Sequence, residues 1–181
     1  MWVIGWSYVK GCENSFIDRW DMEQKQINIS FEEYGHLQEL AKIDQKLVTI
    51  ALEAAKKAYA PYSGFRVGAA LLLENGEIVQ GSNQENAAYP SGMCAERVAL
   101  YWAGANFPDV AITSLAIVAM KNGQMVDEVA APCGACRQVI SESQYRSGNS
   151  FPIILAGKNK VLKVLNGNDL LPLAFGPQDL K

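Results

Sequence analysis

Two short segments constrain this chain more than anything else in it: Cys94-Ala95-Glu96-Arg97 and Pro132-Cys133-Gly134-Ala135-Cys136-Arg137-Gln138. Cys133 and Cys136 lie three apart, on one face of a helix that opens just after Pro132, so both sulfurs can reach one ion. Cys94 opens a second helix. Helix N-termini carry partial positive charge, which favours the thiolates that bind a metal. A fold that holds all three sulfurs together must bring two helix starts to one place.

The cysteines alone leave three readings open. Cys133 and Cys136 fit a redox pair, half of a structural zinc site, or part of a catalytic one. A structural zinc site is closed by four protein ligands. The remaining candidates are Cys12, in an anomalous N-terminal stretch, and His36, the one histidine, in a polar segment expected at the surface. Three ligands and an open position is the catalytic pattern. Glu96 weighs more than the cysteines. Alone it reads as a first-turn carboxylate favoured by the helix dipole. Two residues from a ligand and beside an open position, it can accept a proton from water that zinc has acidified to a pKa of about 7. Three thiolates on a divalent ion leave one net negative charge. Arg97 and Arg137 are placed to offset it by donating to the sulfurs, although a solvated helix arginine is a serious rival reading for Arg137.

The rest of the chain narrows the partners. Its 181 residues suit one compact α/β domain. The net charge of −3 and the lack of a Lys/Arg cluster argue against a polynucleotide substrate. No run approaches the ~20 apolar residues of a membrane span. The apolar start, Met1 to Trp6, lacks a basic flank and a small-residue cleavage site, so the expected compartment is the reducing cytoplasm.

Residues 1–24 hold three of the four tryptophans and show no period. They read as an N-terminal extension of unknown role, either a real arm or a stretch upstream of a start at Met22, before a domain over 25–181. Ile27, Ile29 and Phe31 alternate as in a strand, although Ser30 and Glu33 also fit a helix cap. Leu47, Val48, Ala51, Ala54, Ala55 and Ala58 recur at helical spacing from Asp44 until Pro61. Strands are expected over 67–73 and 77–81, joined at Asn75-Gly76. Further strands are expected over 111–120, 152–156 and 161–164. Helices are expected from Cys94 to about Ala103 and from Pro132 to about Ser143, with a polar loop over 82–93. This order implies an α/β fold: a three-layer α/β/α sandwich around a mixed, roughly five-stranded sheet.

These motifs resemble the zinc-dependent cytidine deaminases, whose signature is H-x-E or C-x-E followed by P-C-x-x-C. The resemblance extends to Tyr59-Ala60-Pro61-Tyr62-Ser63-Gly64-Phe65-Arg66-Val67-Gly68-Ala69-Ala70, to Asn83-Gln84-Glu85-Asn86-Ala87-Ala88-Tyr89-Pro90, and to Phe175-Gly176-Pro177-Gln178-Asp179-Leu180. It covers residues from about 44 to 181. It implies one zinc per subunit on Cys94, Cys133 and Cys136, with Glu96 as proton shuttle. The substrate would be a free nucleoside, cytidine or deoxycytidine, hydrolysed to uridine or deoxyuridine in pyrimidine salvage. Asn83 and Glu85 would bond the ribose 3′-hydroxyl, the Ala95 N–H would contact the pyrimidine carbonyl, and Phe65 would pack on the nucleoside. It also implies a homotetramer with shared active sites, in which Phe175 stacks on the base and Tyr89 enters from another subunit.

Three rivals are weighed against it. Blasticidin-type deaminases share the three-cysteine site but lack the N-x-E-N loop and the F-G-P-x-D-L tail. Deaminases of tRNA adenosine or of nucleotides generally begin the ligand set with His. A noncatalytic zinc-stabilised binding module would have no need of Glu96.

Overall fold

The computed structural model describes residues 23–181. Cys12, Trp2, Trp6, Trp20 and the question of an N-terminal arm lie outside the described residues. Within them one mixed sheet is flanked by three helices. Its strands are β1 (Phe31–Tyr34), β2 (Arg66–Leu73), β3 (Ile78–Ser82), β4 (Ile112–Lys121), β5 (Gln124–Met125), β6 (Ile153–Ala156) and β7 (Val161–Val164). The order across the sheet is β1-β7-β6-β4-β2-β3, with β5 folded onto β4. Only β4 and β6 run parallel; the other pairings are antiparallel.

The helices are α1 (Lys42–Lys56), α2 (Ala95–Asn106) and α3 (Gly134–Ser147). Leu47, Val48 and Ala51 of α1 join Ala70, Ala116, Val118 and Ile154 in one core. Ala95, Ala99, Leu100 and Ala103 of α2, with Ile140 of α3, join Leu71, Leu115, Ile117 and Ile153 in the other. Alternate residues of β4 therefore feed opposite cores, as the two-residue repeat of a strand requires. The sandwich is the expected one, with α1 on one face and α2 and α3 on the other.

The sheet has seven strands where about five were expected. One addition is the two-residue β5. The turn at Asn122-Gly123 places both residues at positive φ, 53° and 76°, which makes a two-residue hairpin possible. The other is β1, displaced along the chain from the expected alternation. Ile27 and Ile29 stay outside it and remain exposed, because β7 offers only four residues to pair with. The hairpin between β2 and β3 turns where expected, with Gly76 at φ 86° and the Asn75 side chain accepting from the Glu77 N–H. α3 runs past Ser143 to Ser147, where Gly148 in the left-handed conformation closes it.

Two topological facts position the site. β3 and β4 are both antiparallel to β2, so they point the same way. The chain leaves β3 to enter α2 and leaves β4, through the two-residue β5, to enter α3, so both helices start at the same end of the sheet on the same face. The approach of α2 to β3 is close: a Cβ on Gly81 would lie 2.3 Å from the Ala95 carbonyl oxygen and 2.6 Å from the Ala99 nitrogen. Only glycine leaves room there for the first turn of α2, which carries Glu96.

Candidate metal centre

Cys94 is the residue that caps α2, and Cys133 the one that caps α3. Cys136 sits in the first turn of α3 and is fully buried, Cys94 is half-buried, and Cys133 is exposed. The three sulfurs lie within 4.8 Å of one another, with Cys94 to Cys133 at 3.9 Å and Cys133 to Cys136 at 3.5 Å. A tetrahedral zinc ion with arms of about 2.3 Å separates its thiolates by about 3.8 Å, so the spacing fits that ion. His36 is exposed beside a short turn over Leu37–Glu39. Among the described residues the metal-ligating cluster is these three thiols.

The electrostatics describe a site built for a cation. Bonding with Cys136 and with Arg97 draws the Cys94 thiol down to about 5, against the opposing effect of its burial. The Cys94 partner and burial push the Cys136 thiol up, and the nearby Glu96 carboxylate adds to it. One thiolate thus opposes formation of the next until a divalent ion lies between them. The Arg97 Nη2 donates to the Cys94 sulfur at 3.8 Å, and its Nε is buried without a hydrogen-bond partner. Arg97→Gln is expected to leave zinc stoichiometry unchanged and to slow turnover severalfold; steady-state kinetics equal to wild type would remove Arg97 from the reaction.

Glu96 is 4% exposed in the first turn of α2. Burial, more than any neighbour, raises its carboxyl above the usual range. A raised carboxyl exchanges protons closer to neutral pH than an exposed one, as a proton carrier must. The Ala95 N–H lies at the same helix start, where first-turn amides lack helical acceptors.

A cleft of about 410 Å³ opens beside Cys94 and Arg97, lined also by Tyr62, Ser63, Asn83, Gln84, Glu85 and Tyr89. Asn83 and Glu85 hold its wall together. The Asn83 Oδ1 accepts from the Val67 N–H at 2.7 Å and its Nδ2 donates to the Phe65 carbonyl at 3.0 Å. Glu85 accepts from the Tyr62 and Ser63 amides at 2.9 and 3.3 Å and from the Ser63 hydroxyl. The Ser63 hydroxyl and the Tyr62 amide hold the Glu85 carboxyl below its ordinary value. An ionised Glu85 is an acceptor only, suited to hydroxyl donors. Sequence reasoning overlooked Tyr62 and Ser63 as wall residues, although both lie in the 59–70 segment.

Four expected residues remain, and of these Arg137 stands differently. Tyr89 lines this cleft in its own chain and is 79% exposed. Phe65 is half-buried, while Phe175 is exposed and does not line this cleft. Arg137 is directed away from the expected sulfur contacts. Its Nε donates to the Pro132 carbonyl at 2.8 Å and its Nη1 to the Leu170 carbonyl at 2.9 Å. Two carbonyls spaced to fit a planar fork outcompete a soft, weakly accepting sulfur.

Two helix starts on one face of a mixed sheet, three convergent thiols and a buried carboxylate beside them define a zinc-dependent hydrolytic enzyme. Residues 41–148 match the family described as the cytidine and deoxycytidylate deaminase zinc-binding region, and the chain belongs to that family. It is 40% identical over 136 residues to a cytidine deaminase of Sporosarcina psychrophila, covering 75% of this chain and 93% of that one. A crystal structure of cytidine deaminase from Burkholderia pseudomallei superposes with a TM-score of 0.60 at 38% identity, covering 72% of this chain and 97% of the other. The cytidine deaminase of Mycobacterium tuberculosis gives 0.54 at 35% identity, covering 72% and 95%. No helix among the described residues is long and apolar enough to cross a membrane.

Proposed function

We infer that this chain hydrolyses the amino group of cytidine and deoxycytidine, releasing ammonia and leaving uridine or deoxyuridine, with zinc held by Cys94, Cys133 and Cys136. The observation that carries this reading is Glu96, a carboxylate buried to 4% exposure two residues from Cys94 of a three-thiol cluster. A closed structural zinc site has no use for such a group, and its desolvation is costly.

When bound, zinc supplies the Lewis acidity that makes water a nucleophile near neutral pH. Glu96 takes a proton from the attacking water and delivers protons to the ring nitrogen and to the departing amine, as general acid and base of the zinc deaminases. The Ala95 N–H, at the positive end of α2, polarises the pyrimidine carbonyl. Asn83 and Glu85 present acceptors to the sugar hydroxyls from a wall they themselves stiffen. Arg97 offsets the negative charge of the thiolates.

A homotetramer with shared sites accounts for the exposed apolar residues of the tail, Leu173, Phe175 and Leu180, at 93%, 58% and 76% exposure. In that assembly Phe175 stacks on a base and Phe65 packs against the nucleoside. Incubation of the zinc-loaded protein with cytidine, deoxycytidine, adenosine and cytosine, with ammonia release as the readout, tests the substrate. Release from the two cytosine nucleosides is expected. Release from adenosine or free cytosine alone would overturn the assignment.

A further inference from the structure

The first two turns of α3 carry side chains whose bonds run outward to the C-terminal segment. Arg137 joins the carbonyl of Pro132, the residue before a metal ligand, to that of Leu170, the residue before the tail. Its neighbour Gln138 donates to the Phe175 carbonyl at 2.8 Å. Farther along α3, the buried Gln144 accepts from the Phe151 N–H at 3.0 Å and donates to Asn168 at 3.1 Å, fixing the turn over Gly167–Leu170. Leu170 packs against the core. Beyond it the backbone-to-backbone bonds are local: Leu171 donates to Asn168, and Asp179 donates to Gly176. Among the described residues, Gln138 supplies the polar link between residues 172–181 and the body of the protein.

We propose that Arg137 is a positioning residue that couples the C-terminal tail to the metal loop, with Gln138 setting the tail's far end. The proposal rests on the zinc reading of the three-thiol site, not on the identity of the substrate. The physical case is one of geometry. Pro132 is buried and has no N–H, so its carbonyl is the residue's own hydrogen-bonding group, and it belongs to the peptide that leads into Cys133. The guanidinium holds it in the same plane that holds Leu170. A shift of the tail root by a few tenths of an ångström must either break one arm of the fork or move the peptide leading into Cys133. Lysine cannot replace the fork, because a single ammonium on a flexible stem does not fix two carbonyls at once. Gln138 makes no bond to the metal loop and reaches the tail alone.

The test uses the full zinc-loaded chain and two readouts that need no substrate: transfer of zinc to a colorimetric chelator, and hydrogen exchange at the amides of residues 171–178. Arg137→Lys and Arg137→Gln are both expected to speed zinc transfer about tenfold or more, the usual scale for loss of a group that orients a ligand. Both should also speed exchange in the tail. Gln138→Ala should speed exchange in the tail and leave zinc transfer as in wild type. Ile140→Val loosens the buried side of the same helix without touching either carbonyl, so it should lower Tm and leave zinc transfer unchanged. The proposal is overturned if both Arg137 variants release zinc at the wild-type rate, if tail exchange does not change in them, or if Ile140→Val speeds zinc release equally. Failure of the deaminase reading looks different: the wild-type protein would retain zinc and release no ammonia from cytidine.

Discussion

Glu96→Gln is expected to lower kcat for cytidine by about 10⁴-fold, the upper end of what a positioned proton carrier contributes, since one carboxylate serves several transfers. The substitution keeps the shape of the side chain in a site with 4% exposure, so packing around α2 is preserved. It also removes an ionisable group that burial disfavours in its charged form. The variant should therefore bind zinc at one ion per chain and melt at or above the wild-type temperature. Turnover lost while zinc and Tm are kept is the signature of a group that acts in the reaction. Turnover within tenfold of wild type would return Glu96 to a helix-start carboxylate and favour a zinc-stabilised binding module.

Cys136→Ala is the second large effect, and it acts on the metal itself. Cys136 is the buried member of the trio, and α3 cannot offer another ligand at that depth without repacking. Metal binding at thiolate sites of this kind is worth about 10–16 kcal/mol at neutral pH, so losing one of three ligands reduces the bound zinc to a trace. The alanine leaves only the small volume of a sulfur, so the fold should persist. Zinc content by atomic absorption and ammonia release should fall together, with secondary structure by circular dichroism unchanged. A variant that keeps stoichiometric zinc and activity would show that the metal lies elsewhere.

Much of this was legible in the chain, for identifiable reasons. The Asn75-Gly76 and Asn122-Gly123 turns depend on local backbone conformation, which their residues declare. α1 could be read from Leu47, Val48 and Ala51 because its apolar stripe repeats every turn. The early strand was misplaced for the opposite reason. Ile27, Ile29 and Phe31 alternate, but alternation does not say where a partner strand begins, and β7 pairs only with Phe31–Tyr34. Arg137 was misread because its position beside Cys136 says nothing of the Leu170 carbonyl, which reaches it from thirty-three residues away. Tyr62 and Ser63 were missed as wall residues because their bonds run to Glu85, more than twenty residues on.

By itself the sequence determined the chemistry on offer: three thiols of ligand type, one carboxylate beside them, two helix starts and no competing histidine nearby. Those are properties of residue type and short spacing. Only the tertiary structure decided that the thiols meet. β3 and β4 point the same way because each pairs antiparallel with β2, and the helices that follow them therefore open side by side. Gly81 lets α2 settle against β3 until Glu96 is buried. The tertiary fold also decided which internal partners the polar groups take, Asn83 and Glu85 in the wall of the cleft and Arg137 at two carbonyls. A hydrogen bond between distant segments depends on where the whole chain has gone, and no local pattern carries that information.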